Sequence, residues 1–132
     1  MSAPVMIAER ITVGLIGASP GESALRRALD EAERHGAAVT VVATGPASDA
    51  ADRHVRELVA RWAEKYPSVA VTLAVRRSVD AVITLAAASR QADLLVVERG
   101  PDPRAAATVA ALTRRTHSDL LVVEAPPGPA LR

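Results

Sequence analysis

A chain of 132 residues is long enough for one three-layer core and too short for two folded units with separate cores. Its 16 basic and 15 acidic side chains nearly cancel, so no charge excess points to nucleic acid or to an anionic membrane. With no cysteine, disulfides, thiolate metal sites and a cysteine nucleophile are excluded, and no apolar run approaches the roughly 18 residues of a membrane span. Glu9 and Arg10 precede the first apolar run, which argues against a secretory leader and makes the cytoplasm the expected location.

Residues 1–10 read as an N-terminal extension, 11–125 as the folded domain and 126–132 as a flexible tail. Ile11 to Ile16 is a short apolar run rich in β-branched residues, with Gly17 and Ala18 as the turn that follows. Ser19, Pro20 and Glu22 then predict a helix start with Ser19 as N-cap, Pro20 in the first helical position and Glu22 closing a capping box. Leu25, Ala28, Leu29 and Ala32 recur at helical spacing until Gly36 supplies the left-handed stop. Val39 to Ala43 is a second strand. A second helix starts near Ser48, carries Val55, Leu58, Val59, Trp62 and Ala63 on its apolar face, and ends before Pro67. Val69 to Val75 alternates with period two, the pattern of an edge strand. Ser78 is placed to cap a third helix through Val79, Val82, Ile83 and Ala86, and Pro103 to Thr116 makes a fourth.

The hexapeptide Asp-Leu-Leu-Val-Val-Glu occurs at Asp93 to Glu98 and again at Asp119 to Glu124, each time after a helix-like stretch. Two equivalent buried strands explain it. Their starts lie 26 residues apart, room for a crossover helix and too far for a hairpin, so the strands should run parallel. The order β-α-β-α-β-α-β-α-β with right-handed crossovers gives an α/β fold of three layers, α/β/α, around a five-stranded parallel sheet.

Four stretches carry a resemblance to the universal stress protein family, over nearly all of Ile11 to Glu124. They are Val13-Gly14-Leu15-Ile16-Gly17-Ala18-Ser19-Pro20, Ala32-Glu33-Arg34-His35-Gly36-Ala37, Ala92-Asp93-Leu94-Leu95-Val96-Val97, and Leu121-Val122-Val123. The resemblance implies the Rossmann-like, adenine nucleotide alpha hydrolase-like sheet of order 3-2-1-4-5, with its switch point between strands one and four. It also implies a homodimer joined through the last strand, which places Leu120, Leu121, Val122 and Val123 at the interface. The apolar run of that strand gives such a contact a physical motive of its own.

Many members of that family bind ATP at the switch point, and here the expected contacts are missing. Where an Asp commonly ends strand one, this chain has Ile16. Where Gly-x2-Gly-x9-Gly-Ser/Thr would cradle phosphates after strand four, Gly100 alone has a counterpart, the matching Gly-Ser falls near Ala106 and Ala107, and the segment is several residues short. Pro101 and Pro103 remove two N–H donors, and Glu98 brings a carboxylate whose repulsion of a polyphosphate could cost about 1 to 4 kcal/mol. The expectation is a member without the usual ATP site.

Gly17, Ser19, Arg99, Gly100 and Arg104 are the residues that could still hold an anion or a reshaped nucleotide site, with ATP or AMP disfavoured as cofactors. Arg114 and Arg115 fit a solvated helix face. Glu98 and Glu124 would end adjacent strands about 5 Å apart if the two copies of the repeat share a register. The simpler reading sends each carboxylate into solvent beside Arg99, Arg104 or another arginine. His35, His54 and His117 have no spacing suited to a metal, no Gly-x-Ser-x-Gly elbow occurs, and packing accounts for Trp62 and Tyr66. The expected function is a cytoplasmic regulatory or protein-interaction domain, homodimeric, with an unknown protein partner and no catalysis. A small-ligand sensor is the alternative.

Overall fold

The computed structural model describes residues 9–16, 21–45, 48–76, 80–100 and 103–124. The elements run β1 (Arg10–Leu15), α1 (Glu22–His35), β2 (Ala38–Ala43), α2 (Asp49–Glu64), β3 (Val71–Val75), α3 (Ala81–Ser89), β4 (Leu94–Arg99), α4 (Pro103–Arg115) and β5 (Asp119–Glu124). All strand pairs are parallel, in the order β3-β2-β1-β4-β5, as the resemblance implied.

Alternation along the strands divides the core between the two faces of the sheet. Ile11, Val13, Leu15, Val39, Val41 and Val96 meet α1 and α2 on one face, where Leu25, Leu29 and Leu58 close the layer. Val42, Leu95 and Val97 meet α3 and α4 on the other, with Leu85, Val109 and Leu112. Gly14 lets α3 sit close to the sheet: a Cβ there would lie 2.7 Å from Leu85 Cδ1 and 3.2 Å from Val97 Cγ1.

The two copies of the hexapeptide are not equivalent. Leu94 pairs with Asp119 and Arg99 with Glu124, so the copies are offset by one residue. A slip of one reverses which face each letter of the repeat addresses. Leu94 and Val96 pack with the α1 side while Leu120 and Val122 pack with the α3–α4 side. Nor are both strands buried: β4 is buried from Leu95 to Glu98, whereas Leu120 to Val123 of edge strand β5 are half-buried. Asp93, left outside β4, accepts hydrogen bonds from Glu9 N (2.8 Å) and Arg10 N (3.0 Å) and so pins the start of β1.

Three boundaries differ from the sequence reading. β3 begins at Val71, because Val69 N bonds Tyr66 O in the turn after Pro67. Asp80 is the N-cap of α3, accepting from Val82 N and Ile83 N, while Ser78 and Val79 lie outside the described residues. α1 begins at Glu22 with Gly21 as its N-cap, so Glu22 occupies the first helical position instead of closing a box three residues in. Ser19 and Pro20 also lie outside the described residues, as do 1–8 of the extension and the whole tail 126–132. α2 begins near Ser48 as expected, and Ser48 is its N-cap, its Oγ accepting from Ala51 N.

Polar side chains in the last turn of α2 and just beyond it fasten this end to α1. Trp62 Nε1 donates to Glu22 Oε2 (2.8 Å), beside the Arg61–Glu22 ion pair, and Tyr66 Oη donates to Asp30 Oδ1 (2.5 Å). Both aromatic rings also pack on the core, as the sequence reading held. The Asp30 carboxylate that accepts the phenolic hydrogen pushes the Tyr66 pKa up from 10.0 to about 12, with burial acting in the same direction. A raised folded-state value means that the bond contributes in full below pH 10 and is lost as pH rises toward 12. Tyr66 is the only tyrosine, so absorbance at 295 nm follows it directly. The expected midpoint is near 12, falling toward 10 in Asp30→Asn, and Tyr66→Phe should flatten the loss of stability above pH 10.

Candidate functional site

Doubly wound sheets bind ligands where the strand order reverses, at the carboxyl ends of the strands. Here that point lies between β1 and β4. β1 delivers Leu15 and then Ile16, which is 6% exposed and packs into the core beside Leu85 and Leu95. The position where the resemblance would put a carboxylate is therefore apolar and facing inward.

Glu98 has the opposite character. It is a buried carboxylate, only 4% exposed, near the end of β4. The one-residue offset of the repeat accounts for this, because it turns Glu98 toward the α1 side of the sheet and Glu124 away from it. Glu98 Oε1 accepts hydrogen bonds from Ser23 N (2.9 Å) and Ala24 N (3.2 Å), two amides in the first turn of α1. Gly21, at φ 68°, makes the left-handed step that starts this turn, and a Cβ there would run into Leu15. Among the described residues, no side chain of the local sequence caps the helix. A carboxylate from 75 residues away does so instead.

The first amides of a helix carry partial positive charge and attract anions, phosphate groups included. Glu98 satisfies both needs from within the chain: the amides gain an acceptor, and the buried carboxylate gains charge-assisted donors that offset its desolvation. The expectation that Glu98 runs out into solvent beside an arginine is thus corrected, and so is its pairing with Glu124. Glu98 stands opposite Val123 in the register, and Glu124 opposite Arg99.

Arg99 and Glu124 form an exposed ion pair across β4 and β5. The hydrogen bond to Glu124, and then that carboxylate's charge, push the Arg99 pKa further up. Arg99 and Gly100 stand at the end of β4, and Arg104 is exposed in the first turn of α4. Arg99 is therefore committed to an internal carboxylate in this structure. Gly17 and Ser19 lie outside the described residues.

Thr44, just past β2, is another residue that sequence reasoning missed. It is 1% exposed and donates through both Oγ1 (2.8 Å) and its amide (2.9 Å) to Leu15 O, which ties the ends of β1 and β2 together beside the switch point. A hydroxyl directly after a strand was its only signal. Among the described residues no three His, Cys, Asp or Glu side chains gather to hold a metal, and no helix is long and apolar enough to cross a membrane. His35 stands 3.4 Å from Glu31 on α1, and His117 donates its backbone N–H to Ser89 Oγ.

Neither the known sequence-family models nor the curated proteins include a match to this chain. Solved structures do match. A universal stress protein in complex with cAMP aligns with a TM-score of 0.74 at 22% identity, over 91% of this chain and 99% of that one. A universal stress family protein from Burkholderia pseudomallei gives 0.68 at 21%, over 93% and 100%. The universal stress protein from Archaeoglobus fulgidus in complex with dAMP gives 0.63 at 18%, over 89% and 98%. The likeness spans whole chains on both sides and reproduces the strand order, so this chain has the fold of the universal stress proteins.

Proposed function

We propose that residues 11–125 form a degenerate universal stress protein domain that does not bind ATP and acts in the cytoplasm as a homodimeric regulatory or protein-interaction module, without catalysis. One observation carries the proposal. The anion-attracting first turn of α1, at the switch point, already holds the Glu98 carboxylate. A polyphosphate entering there would have to displace a buried, hydrogen-bonded carboxylate or lie beside it unpaired, and the second costs about 1 to 4 kcal/mol at partly exposed distances. Ile16 adds no ribose contact, and Arg99 is held by Glu124.

A small-ligand sensor is the second reading. It is favoured by the neighbours with cAMP and dAMP, whose folds this chain shares. In that case Gly17, Ser19, Arg99, Gly100 and Arg104 would take up an anionic ligand, with Arg99 leaving Glu124.

Calorimetric titration with ATP, AMP and cAMP separates the two. The wild type is expected to give no saturable heat with any of them. Stoichiometric ATP binding would refute the main reading, and saturable AMP or cAMP binding alone would favour the sensor. Glu98→Ala removes the acceptor from one buried and one part-buried amide, so it should lower the unfolding free energy by about 2 to 3 kcal/mol in denaturant titrations. Glu98→Gln, which keeps an oxygen acceptor, should lose less.

For the dimer, the support is the β5 edge, where Leu121 and Val123 reach the core only in part and one side of the strand has no partner strand among the described residues. Placing a charge at Leu121 or Val123 should give monomer or insoluble protein in light scattering coupled to size exclusion. A soluble dimer unchanged by either substitution would exclude the last strand as the interface.

A further inference from the structure

A groove on the face of the sheet opposite α1 and α2 has no role in the site above. α3 and α4 cover β1, β4 and β5 on that face and leave the β2–β3 side open, so a cavity of about 570 Å3 runs beside α3. Its floor is made of small or short side chains, among them Thr12, Ala38, Thr40 and Ala74. Its wall is the side of α3 that carries Ile83, Thr84, Ala87 and Ala88, residues at helical i, i+4 spacing.

α3 itself calls for a second partner. Ala81–Ser89 contains no charged side chain and is apolar around its whole circumference, the pattern of a helix covered on all sides. Yet only one side meets the core: Leu85 is fully buried against the sheet, while Ile83 on the groove wall is 56% exposed, the one large apolar side chain so exposed among the described residues. On the same wall, Thr84 buries its hydroxyl without a hydrogen-bond partner. Alanines at 87 and 88 let another backbone approach closely.

The charges at the groove specify what would fit. Arg10, Arg76 and Gln91 are the polar groups near its ends, and no carboxylate among the described residues lines it. Neither Arg10 nor Arg76 has an ion-pair partner among the described residues, in a chain whose acids and bases are almost equal in number. Arg10 is level with Ala38, and Arg76 lies one step past Val75, which is level with Ala43. Six residue steps along a strand separate them, about 20 Å. A helix of about 13 residues has that length.

We infer that this groove docks an amphipathic, acidic α-helix of a partner protein, whose apolar stripe packs on Ile83, Ala87 and the sheet floor while carboxylates near its two ends meet Arg10 and Arg76. The helix would complete the missing part of the outer layer. The edge of β5 lies at the far side of the sheet, so docking and dimerisation do not compete.

Two synthetic 14-residue helices test this, with identical leucine and alanine stripes and with either glutamates or lysines at the flanking and terminal positions. In amide NMR titrations of the full chain, the glutamate peptide is expected to shift Thr40, Ala74, Ile83 and Ala87 saturably. Its affinity should fall at least tenfold in R10E/R76E, and also in Ile83→Asp, with far-UV circular dichroism confirming that both variants are folded. Three outcomes would overturn the inference: equal binding of the lysine peptide, shifts that map to α1–α2 or β5, or no binding at millimolar peptide. Groove shifts that instead track protein concentration without peptide would also overturn it, by assigning the face to a second copy of the chain.

Discussion

The hydrogen bonds from Ser23 N and Ala24 N to the Glu98 carboxylate join the two halves of this fold at the point where its strand order reverses. They also resolve two costs at once. A buried carboxylate without donors would be strongly destabilising, and a partly buried helix start without acceptors would add to the cost. Each side removes the other's penalty, and the bond spans the crevice in which folds of this kind place their ligands. The rest of the site follows from that geometry. With Glu98 turned toward α1, the neighbouring Arg99 points to the opposite face and meets Glu124, and Ile16 closes β1 as part of the core.

Much of the architecture was legible in the sequence because it depends on local pattern. The β-branched run after Arg10, the helical spacing of Leu25, Ala28, Leu29 and Ala32, the stop at Gly36 and the helix start near Ser48 each act within a few residues, and each stands where it was expected. The strand order needed the resemblance. The start of α1 was misread because Ser19, Pro20 and Glu22 satisfy a local capping rule, whereas the helix takes its cap from β4. No pattern within a single segment could reveal that.

The repeated hexapeptide shows the limit most clearly. Identical letters suggested identical environments and two carboxylates side by side. Strand register is set by packing between elements, and a shift of a single residue reverses the facing of every side chain. In one copy the last residue becomes a buried cap, and in the other an exposed partner for Arg99. Burial differs for a topological reason: β4 lies between β1 and β5, while β5 has a neighbour on one side only. The fold shared with universal stress proteins solved with cAMP and dAMP does not by itself assign a ligand to this chain, since function rests on the site and not on the sheet.

The most direct measurement of the central claim is the pair of backbone amide resonances of Ser23 and Ala24 in the wild-type protein, followed as ATP is added. If Glu98 holds the first turn of α1, both signals lie downfield, move upfield in Glu98→Ala, and stay in place in the wild type at millimolar ATP. A saturable shift of both amides with ATP in the wild type would show a phosphate displacing the carboxylate, and would contradict the account.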